Sequence, residues 1–436
     1  MINKLKDEKV IKDPIHRYIH VQDTLIWSLI QTKEMQRLRR VKQLGMTNLT
    51  FPTAEHSRFT HSLGVYEIMR RILGIRENTN GWAITKDTEE YLVALSAALL
   101  HDVGHGPFSH TFEAVFDTDH EEYTKKIILD PHTEVNQILS QINADFPMKV
   151  AKVIDKSYEN QVIVNLISSQ IDADRMDYLL RDAYFTGVSY GTFDIERILR
   201  VMMPFGNTVV IEEKGMHAVE DHVMSRYQMY MQVYFHPVTR SAEVIVNQIF
   251  RRAKALYLKG YQFKHELFLL IPFFERTVSL ADYLKLDDDV MRYHFLIWQE
   301  EEDSILRDLC SRYMNRKLFK YCDYDPDTDS VFYEKLRQLY QEVGYNPEYY
   351  IQIHSSSDLP YDLYRPGKNQ RLPITIKQKD NTLMELSECS PIVKAISGKT
   401  KTDIKIFYPE DIETKATEKQ MIAIKKLISA HKRSKL

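Results

Sequence analysis

Three imidazoles and a carboxylate crowd into the stretch ALLHDVGHGPFSH, residues 98–110, at positions His101, Asp102, His105 and His110. They follow an apolar run with helical spacing, where a buried polar group costs free energy unless a partner satisfies it. A divalent transition metal is such a partner, because it takes neutral imidazole nitrogens and carboxylate oxygens together. Successive residues at a helix end point about 100° apart, so His101 and Asp102 can both reach one ion beyond the last turn. Two more ligands must come from other segments. His61 in RFTHS and Asp174 in IDADRMDY are the candidates, each a polar residue inside an apolar helical pattern. One HD dipeptide means little alone. Its combination with further histidines across a Gly-Pro break, and with the polar clusters HSRFTH and DADRMDYLLRD, gives the metal reading its weight.

The elements that must position these groups are mostly helices. KVIKDPIHRYIHV alternates apolar and polar residues about Pro14 and predicts a two-stranded hairpin. LIWSLIQTKEMQRLRRVKQLG predicts one helix ending at Gly45, and HSRFTHSLGVYEIMRRILGI and TEEYLVALSAALLHD predict two more. The run from Val162 through Asp182 reads as a single helix, and AVEDHVMSRYQMYMQVYFHP as another, stopped by Pro237. NTVVIEE reads as a short strand. Helical patterns continue through SAEVIVNQIFRRAKALYL, DDDVMRYHFLIWQEEEDSILRDL and VFYEKLRQLYQEV. Beyond Asn346 the period changes to two in YYIQIHSSS, LPITIKQKDNTLMELSE and DIKIFYPEDI, with KDNT as a hairpin turn. TEKQMIAIKKLISAHKRSKL closes the chain as a basic amphipathic helix, read as a solvated or subunit-contacting face. The expected class is mainly α. It comprises a helical core with the N-terminal hairpin over 1–265, a helical extension over 266–345 and a small α+β domain over 346–436.

Composition removes several alternatives. The 436 residues carry a formal net charge of −3, without the basic excess usual in nucleic-acid binders. No window approaches the roughly 18 apolar residues of a membrane span. The N-terminus is charged where a secretory signal would be apolar, so a cytoplasmic protein is expected. Cys310, Cys322 and Cys389 show no paired spacing, which argues against a disulfide framework or a thiolate zinc site.

The series His61, His101–Asp102 and Asp174 resembles the HD-domain phosphohydrolases. QRLRRVKQLG, EHSRFTHSLGVYE, LLHDVGHGPFSHTFE and DADRMDYLLRDAYFTG are similar to its deoxynucleoside triphosphate triphosphohydrolase branch, over about Lys9 to Arg252. The resemblance implies a helical HD core, one catalytic metal, and hydrolysis of a dNTP to deoxynucleoside and inorganic triphosphate. It carries His61, His101, Asp102 and Asp174 over as metal ligands. Imidazole ligation favours Mn, Fe, Co, Ni or Zn there, with Mg free to accompany the triphosphate.

His105, His110 and His120 then serve as proton movers or phosphate donors, and Glu113, where relatives often have Asp, orients His120. Arg58, Arg175 and Arg226 match phosphate-contacting positions, and Tyr178 adds a hydroxyl. Gln43 and Asp182 correspond to groups that bond the sugar 3′ hydroxyl, Leu44 and Tyr234 crowd the 2′ position, and His236 lies near the pocket. Lys9, Gln36 and Arg39 match an allosteric nucleotide site, but Gln31 replaces its guanine-reading acid. A dNTP such as dGTP is therefore expected as activator ahead of GTP. Phe235 replaces a polar residue after the sugar-stacking tyrosine, so base preference does not carry over. A homo-oligomer, a tetramer or a dimer, is implied. Two rivals stand beside this reading: another HD phosphodiesterase, with two metals recruited by the extra histidines, and a non-catalytic nucleotide or single-strand binder using stretches such as RRAKALYLKGYQF.

Overall fold

Asp13 and Pro14 interrupt the alternating N-terminal run and the chain folds back. β1 (Lys4–Asp13) pairs antiparallel with β2 (Arg17–Asp23), Asp13 standing opposite Arg17. Asp13 builds the turn itself, its Oδ1 accepting the Ile15 and His16 amides at 2.9 Å each. The structure, a computed structural model, describes residues 4–75, 84–86, 88–356, 373–397 and 403–434.

Helices follow. The single helix expected up to Gly45 is instead α1 (Thr24–Gln31) and α2 (Lys33–Arg37). Thr32 turns extended between them and its hydroxyl accepts the Met35 amide, capping the second helix at the cost of continuing the first. α3 (Arg58–Ile75) and α4 (Glu89–Leu100) form where the apolar spacing predicts them, and both lie almost wholly in the core. Four shorter helices succeed them: α5 (His110–Phe116), α6 (His120–Leu129), α7 (Glu134–Leu139) and α8 (Phe146–Ile154).

The run from Val162 to Asp182 is also two helices, α9 (Gln161–Ile167) and α10 (Ala173–Thr186). Asp172 caps α10, accepting the Arg175 amide and the Ser169 amide at 2.7 Å each. That break sets Asp174 in the first turn of α10. α11 (Ile195–Val201), the hairpin of β3 (Met202–Phe205) and β4 (Thr208–Glu212), and α12 (Met216–Met229) come next. Pro237 does not simply stop a helix. A π-helical turn runs through Tyr234, and Pro237 opens α13 (Pro237–Leu258), its fixed φ suiting the first helical turn. The pattern DDDVMRYHFLIWQEEEDSILRDL likewise divides, into helices Asp288–Ile297 and Ser304–Met314, because Asp303 caps the second.

The chain packs as two compact units rather than three consecutive segments. One is Met1–Val233 with Val278–Asp289 and Leu359–Lys399, and the other is Tyr234–Thr277 with Val290–Asp358 and Thr400–Leu436. The region expected as one α+β domain over 346–436 is thereby divided. In the second unit β5 (Lys320–Asp323), β6 (Gln352–Ser356) and β9 (Asp403–Tyr408) make a three-stranded sheet in the order β5-β9-β6. In the first, β7 (Thr375–Lys377) and β8 (Leu383–Glu385) extend the β3–β4 hairpin to four strands. Ile376 on β7 lies opposite Ile211 on β4, both buried, so the apolar face is completed by a segment distant in sequence. Among the described residues no helix is long and apolar enough to cross a membrane.

Candidate metal centre and catalytic site

The first unit brings His61, His101, Asp102 and Asp174 together. His61 sits in the first turn of α3, His101 and Asp102 directly follow α4, and Asp174 opens α10. His61 Nε2 lies 3.0 Å from Asp174 Oδ1 and 3.3 Å from His101 Nε2. His101 Nε2 is 3.4 Å from Asp102 Oδ1 and 3.6 Å from Asp174 Oδ1, and Asp102 Oδ2 is 3.8 Å from His61 Nε2. The Asp174 side chain is 29% exposed and forms the open side of the cluster; His61 is buried.

Close helix approach makes this possible. Gly64, one turn beyond His61, faces α10 so tightly that a Cβ there would lie 1.8 Å from Asp177 Oδ1 and 2.5 Å from Arg181 Nη2.

A cation fits this donor set. His61 Nδ1 is 2.8 Å from Asp177 Oδ2 and His101 Nδ1 is 3.0 Å from the Ala98 carbonyl, so both rings donate from Nδ1 and turn Nε2 lone pairs toward each other and toward two carboxylates. Such a set repels itself unless positive charge sits among its members. The titration of His61 carries the same message. Burial opposes its protonation, yet the hydrogen bonds and charges of Asp174 and Asp177 push it up to about 10. His101 is likewise raised against burial by Asp102 and Asp174. Asp102 and Asp174 are held below the usual carboxylate range, the neighbouring imidazoles outweighing desolvation.

Beside this cluster stands a second. The rings of His105 and His120 stack at 3.9 Å with 13° between planes. Glu113 Oε1 lies 2.9 Å from His120 Nδ1 and 3.9 Å from His105 Nδ1, and His105 Nε2 is 3.4 Å from Asp102 Oδ1. The stacked rings titrate in opposite directions. Burial and the Arg58 charge push His105 well down, whereas the Glu113 hydrogen bond raises His120 against its own burial. The backbone of His110 opens α5, but its side chain lies outside the described residues.

The loop carrying these groups is strained and held at several points. Phe108 and Ser109 take φ of 52° and 47°, a region L-residues rarely occupy, of the sort that persists only when neighbours enforce it. Arg58 donates to Asp102 Oδ2 at 2.5 Å and to Ser109 Oγ at 2.9 Å. Buried Arg37 donates to the Val103 and His105 carbonyls at 3.0 and 2.7 Å. Tyr283 donates to the Gly104 carbonyl at 2.7 Å, and Asp288 accepts the Phe108 and Lys42 amides at 2.9 Å each. A Cβ on Gly104 would come within 2.2 Å of the Thr124 amide nitrogen in α6.

The remaining expected residues distribute as follows. Arg175 pairs with its own cap, Nη1 to Asp172 Oδ2 at 2.5 Å, and Tyr178 meets the His61 ring edge-on at 6.5 Å. Burial holds the Tyr178 phenol well above its ordinary range, so it stays a hydroxyl. Arg226 is 2% exposed, its Nε makes no hydrogen bond, and its guanidinium faces the Tyr230 ring at 5.6 Å. Asp182 is buried and bonded to His56 Nε2 at 2.7 Å, and the His56 carbonyl accepts the Gln43 amide at 3.0 Å, joining two of the expected sugar contacts; Leu44 is half-buried beside Gln43. Tyr234 and His236 belong to the second unit, where His236 Nδ1 caps α13 at the Val238 amide. Gln36 accepts from Arg39 Nε at 2.7 Å, Arg39 lies over the Phe59 ring at 3.7 Å, and Lys9 is exposed on β1.

Several partners escaped the sequence reading: Asp177, His16, Arg181, Arg37, Ser109, Tyr283, Asp288, His56 and His222. Only Asp177 had a local signal, as the third acid of DADRMD. His222 on α12 is fully buried with neither ring nitrogen hydrogen-bonded. Burial and the charges of Arg226 and Arg175 push it down to about 3, which leaves it neutral.

Comparison with known proteins agrees with this geometry. Residues 58–182 match the HD domain, and residues 193–343 match the HD associated region. The chain is 57% identical to YwfO of Bacillus subtilis (strain 168) over 94% of either protein. It is 28% identical to the deoxynucleoside triphosphate triphosphohydrolase SAMHD1 homolog of Dictyostelium discoideum, over 73% of this chain and 60% of that one. A crystal structure of a phosphohydrolase from Bacteroides thetaiotaomicron superimposes with a TM-score of 0.81 at 27% identity, covering 92% of this chain and 100% of that one. With the ligand-competent cluster of α3, α4 and α10 inside the matched segment, the chain belongs to the HD-domain phosphohydrolase family.

Proposed function

We propose that this protein hydrolyses deoxynucleoside triphosphates to deoxynucleoside and inorganic triphosphate, with one divalent transition metal held by His61, His101, Asp102 and Asp174. The observation that carries the reading is the adjacency of two clusters sharing Asp102, one suited to a cation and one suited to moving a proton. The relatives named as dNTP triphosphohydrolases support the substrate class. When bound, the metal supplies Lewis acidity toward the phosphoryl oxygens.

The residues of the chain do the rest. Release of intact triphosphate needs water at the α-phosphorus and a proton for the departing 5′ oxygen. His120, raised by its hydrogen bond to Glu113, is the acid, and His105 stacked on it, pushed well down, is the acceptor. His110 is the alternative acid from the sequence reading. Arg226 is a buried guanidinium whose Nε makes no hydrogen bond, and we assign it a triphosphate oxygen as partner. Arg175 and the Tyr178 hydroxyl add donors, and Arg58 contributes through Asp102 and Ser109, to which it is committed. Gln43 and Asp182 hold the 3′ hydroxyl and Leu44 crowds the 2′ position. A ribose hydroxyl there meets a clash and an unpaired polar group together.

Activation by a dNTP at Lys9, Gln36 and Arg39, assembly into a homotetramer and a cytoplasmic location belong to the same reading. Nucleic acid is not required by it. A second reading, a two-metal phosphodiesterase, draws on the proximity of Asp102, His105 and His120. The parallel stack weakens it, since stacked rings send their lone pairs alongside one another rather than to a point.

The test is incubation of the metal-loaded protein with each dNTP, alone and mixed, and anion-exchange separation of the products. Triphosphate as the sole inorganic product is expected. Pyrophosphate or phosphate, or no turnover with any mixture, overturns the reading, and about two metals per chain with preference for bis-p-nitrophenyl phosphate establishes the second.

A further inference from the structure

The turn of the N-terminal hairpin reaches the metal centre. His16 buries its side chain against α10, where Nε2 lies 2.6 Å from Asp177 Oδ1. The other oxygen of that carboxylate meets His61 Nδ1 at 2.8 Å. Arg181 grips both oxygens, Nη2 to Oδ1 at 2.9 Å and Nε to Oδ2 at 2.8 Å, and its Nη1 reaches Asp13 Oδ2 at 2.8 Å. Asp13 is the residue that builds the turn presenting His16. Turn, guanidinium, carboxylate and imidazole thus close a buried ring, with Asp177 and Arg181 fully shielded from solvent.

A carboxylate offers about four lone-pair directions. Here four donors fill them: two from Arg181 and one each from His16 and His61. Because Asp177 only accepts, His61 must carry its hydrogen on Nδ1 and present the Nε2 lone pair to the centre. Removing the His16 donor empties one direction of a buried charge and takes away one of the three side chains that hold the carboxylate in the plane in which it meets His61. We propose that His16 is a positioning residue of the metal centre: the hairpin turn fixes Asp177 and, through it, the tautomer and aim of His61. The proposal rests on the reading of His61 as a metal ligand. Losing a carboxylate that orients a ligating imidazole costs roughly 10–100-fold in metal affinity, and His16 lies one bond further out, so a loss of about tenfold is expected.

The experiment strips the full chain with a chelator and titrates Co²⁺, following calorimetry and visible absorption together, for the wild type, His16→Leu, His16→Asn and His16→Gln. Melting of the stripped proteins shows which variants fold. Leu removes the donor, Asn is too short to reach Asp177, and Gln still donates from nearly the Nε2 position. Weakening of Co²⁺ binding by about tenfold with a changed absorption band in Leu and Asn, and near-wild-type behaviour in Gln, is the expected result. Wild-type affinity and spectrum in His16→Leu overturn the proposal, as does an equal loss in Gln. If His16→Leu fails to fold, His16→Asn decides by the same criteria. A wild type that takes up no Co²⁺ overturns the metal reading itself, a separate outcome.

Discussion

The pairs His61–His101 and His105–His120 use the same side chain, share Asp102 and lie in one unit, yet they differ in ring orientation. His61 and His101 meet edge-on, centroids 5.1 Å apart and planes at 81°, while His105 and His120 lie parallel. The edge-on pair converges its lone pairs and is flanked by Asp102, Asp174 and Asp177, so it is a place for positive charge. The parallel pair is flanked by Arg58 on one side and Glu113 on the other, which separates two identical groups into one that gives up its proton readily and one that keeps it. The difference teaches that helix ends and a strained loop, by setting ring angles, assign imidazoles their chemistry.

The contrast can be broken from either side. Asp174→Ala removes the open ligand of the edge-on pair. Triphosphate release should fall by roughly a thousand-fold and elemental analysis should find metal lost, since Lewis-acid stabilisation is worth several kcal/mol. His120→Asn should lower turnover by about a hundredfold or more while leaving metal content at the wild-type level, which separates the two pairs. Arg226→Ala should act on neither pair. Loss of a charge-assisted bond to the polyphosphate, about 1.5–3 kcal/mol, should raise KM by about tenfold or more in steady-state kinetics, with metal content intact.

The smallest effect concerns pH. His120 is raised in the folded protein, so its protonated form persists to higher pH than that of a free imidazole, and activity needing that proton falls as pH rises through the raised value. Glu113→Gln removes the carboxylate charge that helps raise it. The alkaline limb of the rate profile should therefore move to lower pH, and an unmoved limb would point to His110 as the acid.

Much of this was legible in the chain. The hairpin follows from alternation about Asp-Pro, α3 and α4 from three-to-four spacing, and the four proposed ligands from short motifs whose members are polar in apolar surroundings. What was not legible depends on local side-chain competition or on distance. Thr32, Asp172 and Asp303 each break a pattern that looks continuous, because a side-chain oxygen offers the backbone a better partner than the next helical turn. His16 and Asp177 meet across 161 residues, and nothing near either in sequence announces the other. The pairing of β7 with β4 likewise shows only once the chain has folded, which is why a region with one texture belongs to two units.

The clamps on the loop after α4 bear on how the enzyme is made. Tyr283 and Asp288 follow the residues they hold, Gly104 and Phe108, by 179 and 180 positions. At ribosomal rates of about 5–20 residues per second, a growing chain carries its histidines for about ten to forty seconds before those anchors are synthesised. An unfinished polypeptide therefore has these side chains without the scaffold that aims them, and the geometry of the site arrives late in translation.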